Sequence, residues 1–191
     1  MSVPILSFSG DLERALRLAV RLHDGHFRKT DRTLPYITHL FHVALILQGH
    51  GFPRSVILAA ILHDTLEDTD YTYEEMLHDF GDDVTSIVCT VTEDKHLRWE
   101  ERKRKYLEQV RSGSHHAKAV CCADKIHNLS TILEEYRIRG EDLWKVFSRG
   151  RGQTFAFYES CYEVVSDGWN HPVVDAYRTV MEDAREVFDI P

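Results

Sequence analysis

The residues Val56-Ile57-Leu58-Ala59-Ala60-Ile61-Leu62 are apolar without a break, and His63 and Asp64 follow at once. A helix that is apolar on every side must be enclosed by other elements, so this run predicts a helix from about Arg54 to Leu66 at the centre of a bundle. The histidine–aspartate pair then sits in mid-helix at the end of a greasy stretch. Two polar groups are costly there unless they find partners. One divalent cation satisfies both. Neighbouring residues on a helix point about 100° apart, so an ion can sit between them if other helices supply further ligands.

The rest of the chain also reads as helix. Leu12, Ala15, Leu16, Ala19 and Val20 keep helical spacing up to His23, with Asp11 as the expected cap. A polar loop from Phe27 to Pro35 precedes a helix over Ile37–Gln48, which Gly49, Gly51 and Pro53 end. Thr72 and Glu75 form a capping-box pattern for a helix that stops near Gly81. Further helices are predicted over Asp83–Val91, Trp99–Val110, Ala117–Tyr136, Phe155–Val165 and Val173–Phe188. No β-period run, internal repeat or low-complexity segment interrupts them. The expectation is an all-α fold.

At 191 residues the chain suits one domain. Met1 to Gly10 lacks the charged start and long apolar run of a signal peptide, and no apolar run nears the roughly 20 residues that span a bilayer. The default compartment is the cytoplasm, with no membrane partner. A net charge of −8 argues against bulk nucleic-acid binding, yet leaves room for a small anionic ligand on a local basic patch. Cys89, Cys121, Cys122 and Cys161 show no C-x-x-C spacing and read as buried thiols. The 12 histidines exceed what packing needs, which directs attention to metal chemistry.

His39 and Asp124 lie on other predicted helices, so with His63 and Asp64 they can converge only in the folded chain. Two imidazoles and two carboxylates suit Mn²⁺ or Fe²⁺ and leave positions open for water. Zinc is the second choice, because no thiolate joins the set. Glu67 and Asp68 lie one turn beyond the pair on the same helix face, where carboxylates can orient or deprotonate a metal-bound water. The alternative is a solvated acidic start to the following loop.

The stretches H-D-T-L-E-D-T (His63–Thr69), P-Y-I-T-H (Pro35–His39) and A-D-K-I-H-N-L (Ala123–Leu129) resemble the HD hydrolase domain of RelA/SpoT-type alarmone enzymes. More closely, the chain is similar to the small alarmone hydrolases that lack a synthetase domain. Arg28-Lys29 and Thr92-Glu93-Asp94-Lys95 extend the likeness, which runs from about Leu12 to Leu133. The resemblance implies a helical HD bundle with its motif core over about 12–133 and closing helices over 141–188 packed on it. It implies Mn²⁺ on His39, His63, Asp64 and Asp124, with Glu67 and Asp68 activating water. It also implies Arg28, Lys29 and Asn128 as substrate contacts, with Lys95, Arg102 and Lys103 as further phosphate contacts. The implied reaction removes the 3′-pyrophosphate of guanosine tetra- or pentaphosphate. His127 departs from the tyrosine or other aromatic residue of many relatives, and the loop Thr30–Leu34 is short, which bears on the pocket rim.

Rival readings remain open on the residues. One is a hydrolase of another nucleotide, an adenosine alarmone or a phosphorylated dinucleotide. Another is a silent nucleotide sensor, which would have lost a ligand or an acid/base residue. Arg102 to Lys105, interleaved with Glu100, Glu101 and Glu108, reads by itself as a solvated helix face. Trp144, Phe147, Phe155, Phe157, Tyr158 and Tyr162 read as core, and His115, His116 and His171 as surface residues without a metal role. Oligomeric state is left open.

Overall fold

The computed structural model describes residues 9–190. The signal-peptide reading of Met1 to Gly10 therefore lies mostly outside the described residues. Among these, every regular element is a helix. In chain order they are α1 (Gly10–Leu22), α2 (Ile37–Gly49), α3 (Arg54–Leu62), α4 (Thr65–Asp68), α5 (Tyr73–Val91), α6 (Trp99–Ser112) and α7 (His115–Arg139). A 3-10 helix (Gly140–Val146), α8 (Gly150–Ser166) and α9 (Pro172–Phe188) complete the bundle.

The central position of the apolar run is as expected. Every residue from Val56 to Leu62 is buried, and α3 packs against α1, α2, α5 and α7. The helix stops earlier than the pattern suggested, at Leu62 rather than Leu66. His63 Nδ1 bonds the Ala60 carbonyl at 2.7 Å, and Asp64 lies at φ −95° and ψ −1°. The chain therefore turns at the histidine–aspartate pair, and α4 restarts with Asp68 N–H donating to the Asp64 carbonyl at 2.8 Å.

Other ends follow local chemistry. Ser9, in extended backbone at φ −138°, is the N-cap of α1, displacing the expected Asp11 into the first turn. There the Asp11 carboxylate still takes the Leu12 N–H at 2.9 Å, a favourable place for a negative charge. Thr72 and Glu75 form the predicted capping box. Gly81, at φ +78°, breaks α5 into two segments, because only glycine enters that region without strain. Downstream, α8 begins at Gly150, ahead of the expected Phe155.

The longest helix, α7, is buried without interruption from Ala117 to His127 and packs against α2, α3, α5, α6, α8 and α9. The late aromatics are largely core: Phe155 is 2% exposed, and Trp144 and Tyr158 are buried. The Tyr177 hydroxyl donates to the Tyr158 carbonyl at 2.8 Å, joining α9 to α8. Burying a side chain such as Phe188 contributes about 1.5–3 kcal/mol, so the last two helices stabilise the bundle as a whole. The loop before α2 is closed by a single antiparallel bridge between Phe27 and Pro35, with Arg28 N–H donating to the Leu34 carbonyl at 2.9 Å. That bridge turns Arg28 inward, where it is 9% exposed. No described helix is long and apolar enough to cross a membrane.

Candidate metal centre

Three elements bring the central residues together: α2 carries His39, the turn after α3 carries His63 and Asp64, and α7 carries Asp124. Donor atoms of His39, His63 and Asp124 all lie within 4.8 Å of one another. His39 Nε2 is 3.1 Å from Asp124 Oδ1 and 3.7 Å from Asp64 Oδ2. His63 Nε2 is 3.1 Å from Asp64 Oδ2 and 3.8 Å from Asp124 Oδ1. Asp64 thus borders both rings while standing just outside the closest trio. The Tyr36 hydroxyl donates to its Oδ2 at 2.6 Å.

The donor set fits a divalent cation. Both Nε2 atoms are buried without a well-formed hydrogen bond, a costly condition for a polar atom. Only an N–H can bond the Ala60 carbonyl, so His63 Nδ1 carries a proton and Nε2 is the nitrogen left to take a cation, either a second proton or a metal. The electrostatics agree. Burial pulls His63 down, but Asp64 and Asp124 overcome it and raise its pKa well above the ordinary value. Burial raises the two carboxylic acids, and the neighbouring cations reverse this, holding Asp64 low through the histidines and Asp124 low mainly through Lys125. Burial leaves His39 depressed, since two adjacent imidazoles sharing the same carboxylates do not both charge. A field that draws a proton onto one buried imidazole also favours a metal cation there.

A polar cavity of about 140 Å³ opens on this cluster, lined by Tyr36, His63, Asp64, Glu67, Glu93, Tyr106, Asp124, Lys125 and Asn128 among others. It is well short of the roughly 300–1,000 Å³ that encloses a drug-sized ligand, so a nucleoside would lie mostly outside it. Glu67 Oε2 accepts the Glu93 N–H at 2.9 Å. Burial, then the Asp64 charge, pushes the Glu67 carboxyl up to about 7. Asp68 is not among the lining residues and pairs with Lys95, whose ammonium is also 3.9 Å from Glu67 Oε1.

The remaining predicted residues divide. Arg28 Nη2 donates to Asn128 Oδ1 at 2.7 Å, and Asn128 Nδ2 in turn donates to Asp124 Oδ1, so both reach the metal cluster. Lys29 points elsewhere, its ammonium 4.7 Å from the centre of the Phe147 ring, and desolvation lowers its pKa. Arg102 and Lys103 both hold Glu93, Arg102 at 2.9 Å.

Three neighbours of the cluster carried no assigned role in the sequence. Lys125 Nζ lies 2.6 Å from Asp124 Oδ2 and faces the cavity, yet it stood inside the A-D-K-I-H-N-L stretch. Tyr36 stood inside P-Y-I-T-H. His127, marked only as a departure from an aromatic residue, puts its Nδ1 2.7 Å from His39 Nδ1. Burial and the His39 and Arg28 charges push the His127 pKa down to about 3.

The HD domain family model matches residues 15–149 of the chain. The chain is 44% identical over 120 residues to a guanosine-3′,5′-bis(diphosphate) 3′-pyrophosphohydrolase of Xenopus tropicalis, covering 62% of this chain and 67% of that protein. It is likewise 44% identical over 128 residues to the human protein of that name, covering 66% and 72%. A solved metazoan orthologue of SpoT, described as hydrolysing ppGpp and acting in starvation responses, superposes with a TM-score of 0.81 at 29% identity, covering 94% of this chain and 98% of that one.

Proposed function

The chain belongs to the HD domain family, and on that premise we propose that it is a metal-dependent hydrolase of guanosine tetra- and pentaphosphate. The reaction releases pyrophosphate from the 3′ position and leaves GDP or GTP. The observation that carries the reading is the convergence of two orphaned imidazole nitrogens and Asp124 beside the raised Glu67 carboxyl. The activity named for the two curated relatives supports it, as does the one described for the superposed orthologue.

His39, His63, Asp64 and Asp124 would hold the ion, Mn²⁺ by preference for this mixed nitrogen and oxygen set, with Fe²⁺ or Zn²⁺ as alternatives. When bound, the metal lowers the pKa of water and polarises a phosphate oxygen. Glu67 is the general base: its Oε2 is anchored on the Glu93 N–H, leaving Oε1 to take the proton of the attacking water. The water oxygen bonds to the phosphorus carried by the ribose 3′-oxygen, and the bond between that phosphorus and the 3′-oxygen breaks. The freed 3′-oxygen takes up a proton and leaves as a hydroxyl. Asp68 holds Lys95 next to Glu67. Arg28 and Asn128 form the cationic and polar wall against the substrate. Lys95, Arg102 and Lys103 are already paired with carboxylates, and would meet phosphate by sharing those charges. Lys29 would act from the rim. The domain is a single HD unit over 1–191, and the compartment is the cytoplasm.

The test is to incubate the protein with guanosine tetraphosphate and Mn²⁺ and to separate products by ion exchange. GDP and pyrophosphate are expected, with turnover about 10²-fold slower in Glu67→Gln at unchanged metal content. Release of single phosphates would assign a phosphatase acting on other nucleotides, and no reaction would overturn the alarmone reading.

A further inference from the structure

His39 is fully buried, and its two ring nitrogens face different neighbours. Nε2 points at Asp124 Oδ1 across 3.1 Å, and Nδ1 faces His127 Nδ1 across 2.7 Å. Two ring nitrogens at that separation share one proton, so one donates and the other accepts. His127 lies three residues after Asp124 on the helix that supplies that carboxylate, and the exposed His42 ring packs against it with centroids 4.6 Å apart. On α7 the buried Ala123 and Val120 lie about one and two turns before His127, so the ring stands at the border between the apolar core and the polar cluster of Asp124.

From this geometry we infer that His127 is a positioning residue for the metal centre: its Nδ1 accepts the Nδ1 proton of His39 and so commits His39 Nε2 to ligation. The alternative tautomer places the proton on His39 Nε2, where it faces Asp124 and blocks the ligand position. His63 achieves the same commitment through the Ala60 carbonyl, a fixed acceptor. His39 has a side chain for that purpose, because the neutral imidazole of His127 can accept as a carbonyl does. The acceptor comes from α7 and the ligand from α2, so the bond also sets the distance between His39 and Asp124 across those two helices.

The inference rests on the metal-site reading, and two measurements separate their failures. The first is Mn²⁺ affinity, followed by the electron paramagnetic resonance of free ion. Wild type is expected to bind, and no binding would reject the metal site itself. His127→Gln, which keeps an acceptor oxygen, should stay within about threefold of wild type. His127→Leu, which keeps bulk and removes the acceptor, should bind roughly 10–100-fold more weakly. Equal affinity in wild type and His127→Leu would overturn the positioning role while leaving the metal site standing. The second needs no variant and covers the case in which His127→Leu fails to fold. In ¹⁵N-labelled wild type loaded with Zn²⁺ as a diamagnetic probe, the His39 Nδ1–H proton should show a coupling to His127 Nδ1 across the bond. A proton resident on His127 Nδ1, or no coupling, overturns the inference.

Discussion

Arg28 and Lys29 are adjacent in sequence and share a charge, yet they do different work in the folded chain. The Phe27–Pro35 bridge turns Arg28 under the loop, where its guanidinium holds Asn128 and, through it, Asp124. Lys29 lies over Phe147 near the 3-10 helix, with no contact to the cluster. Removing Arg28 therefore unties Asp124, a proposed ligand, as well as a proposed substrate contact. Arg28→Ala should raise KM for guanosine tetraphosphate by about 10-fold, the equivalent of one charge-assisted hydrogen bond. It should also weaken Mn²⁺ binding. Lys29→Ala should leave Mn²⁺ affinity at the wild-type value. Titration of both variants checks this, and equal Mn²⁺ affinity in Arg28→Ala and wild type would show that Asn128 holds Asp124 without help.

At the level of elements, the ends of helices carry the chemistry. The turn after α3 places His63 and Asp64, and α4 then swings Glu67 into the cavity. The start of α9 shows a different use of histidine. His171, read from the sequence as a surface residue, is its N-cap, and its Nδ1 accepts the Val173 N–H at 3.2 Å. It packs against Phe52 and stacks on Trp169, with His50 nearby. Desolvation first, then the His50 charge, lowers its pKa. A protonated Nδ1 cannot accept, so the unfolded chain takes the proton more readily than the folded one. The contribution is complete above the ordinary histidine value of about 6.5 and is lost as pH falls through the lower folded value. Thermal melts at pH 7.5 and 5.5 should show a smaller acid loss in His171→Asn, whose amide oxygen caps at both. Identical acid losses in variant and wild type would remove His171 from the account.

Across the whole molecule, the proposed ligands tie α2, the turn after α3 and α7 into one cluster, and α7 in turn packs on α8 and α9. An ion that binds only the folded arrangement stabilises all of it. At 100-fold excess over Kd the gain is about 2.7 kcal/mol, or roughly 5–10 °C in Tm for a chain of this size. Melting with and without Mn²⁺ should show that rise in wild type and little of it in Asp64→Ala, which removes a ligand charge. A full rise in Asp64→Ala would place the ion somewhere else.

The sequence by itself determined the helical class, the buried centre at Val56–Leu62 and, through its short motifs, that His39, Asp64 and Asp124 gather around His63. Those features are local: an unbroken apolar run, 3.6-residue spacing and a few short motifs each state their meaning within a turn or two. The helix ends were legible only in part, since the stop at Leu62 depends on a side chain bonding its own backbone. The tertiary structure decided what each cation and imidazole faces. Arg28 meets Asn128 across a separation of 100 residues, and His39 meets His127 across 88. Lys125 takes its role from Asp124 together with a cavity that α4 and α5 help to form. Such pairings depend on how whole helices dock, and no local pattern in the chain encodes which of two adjacent charges will turn inward.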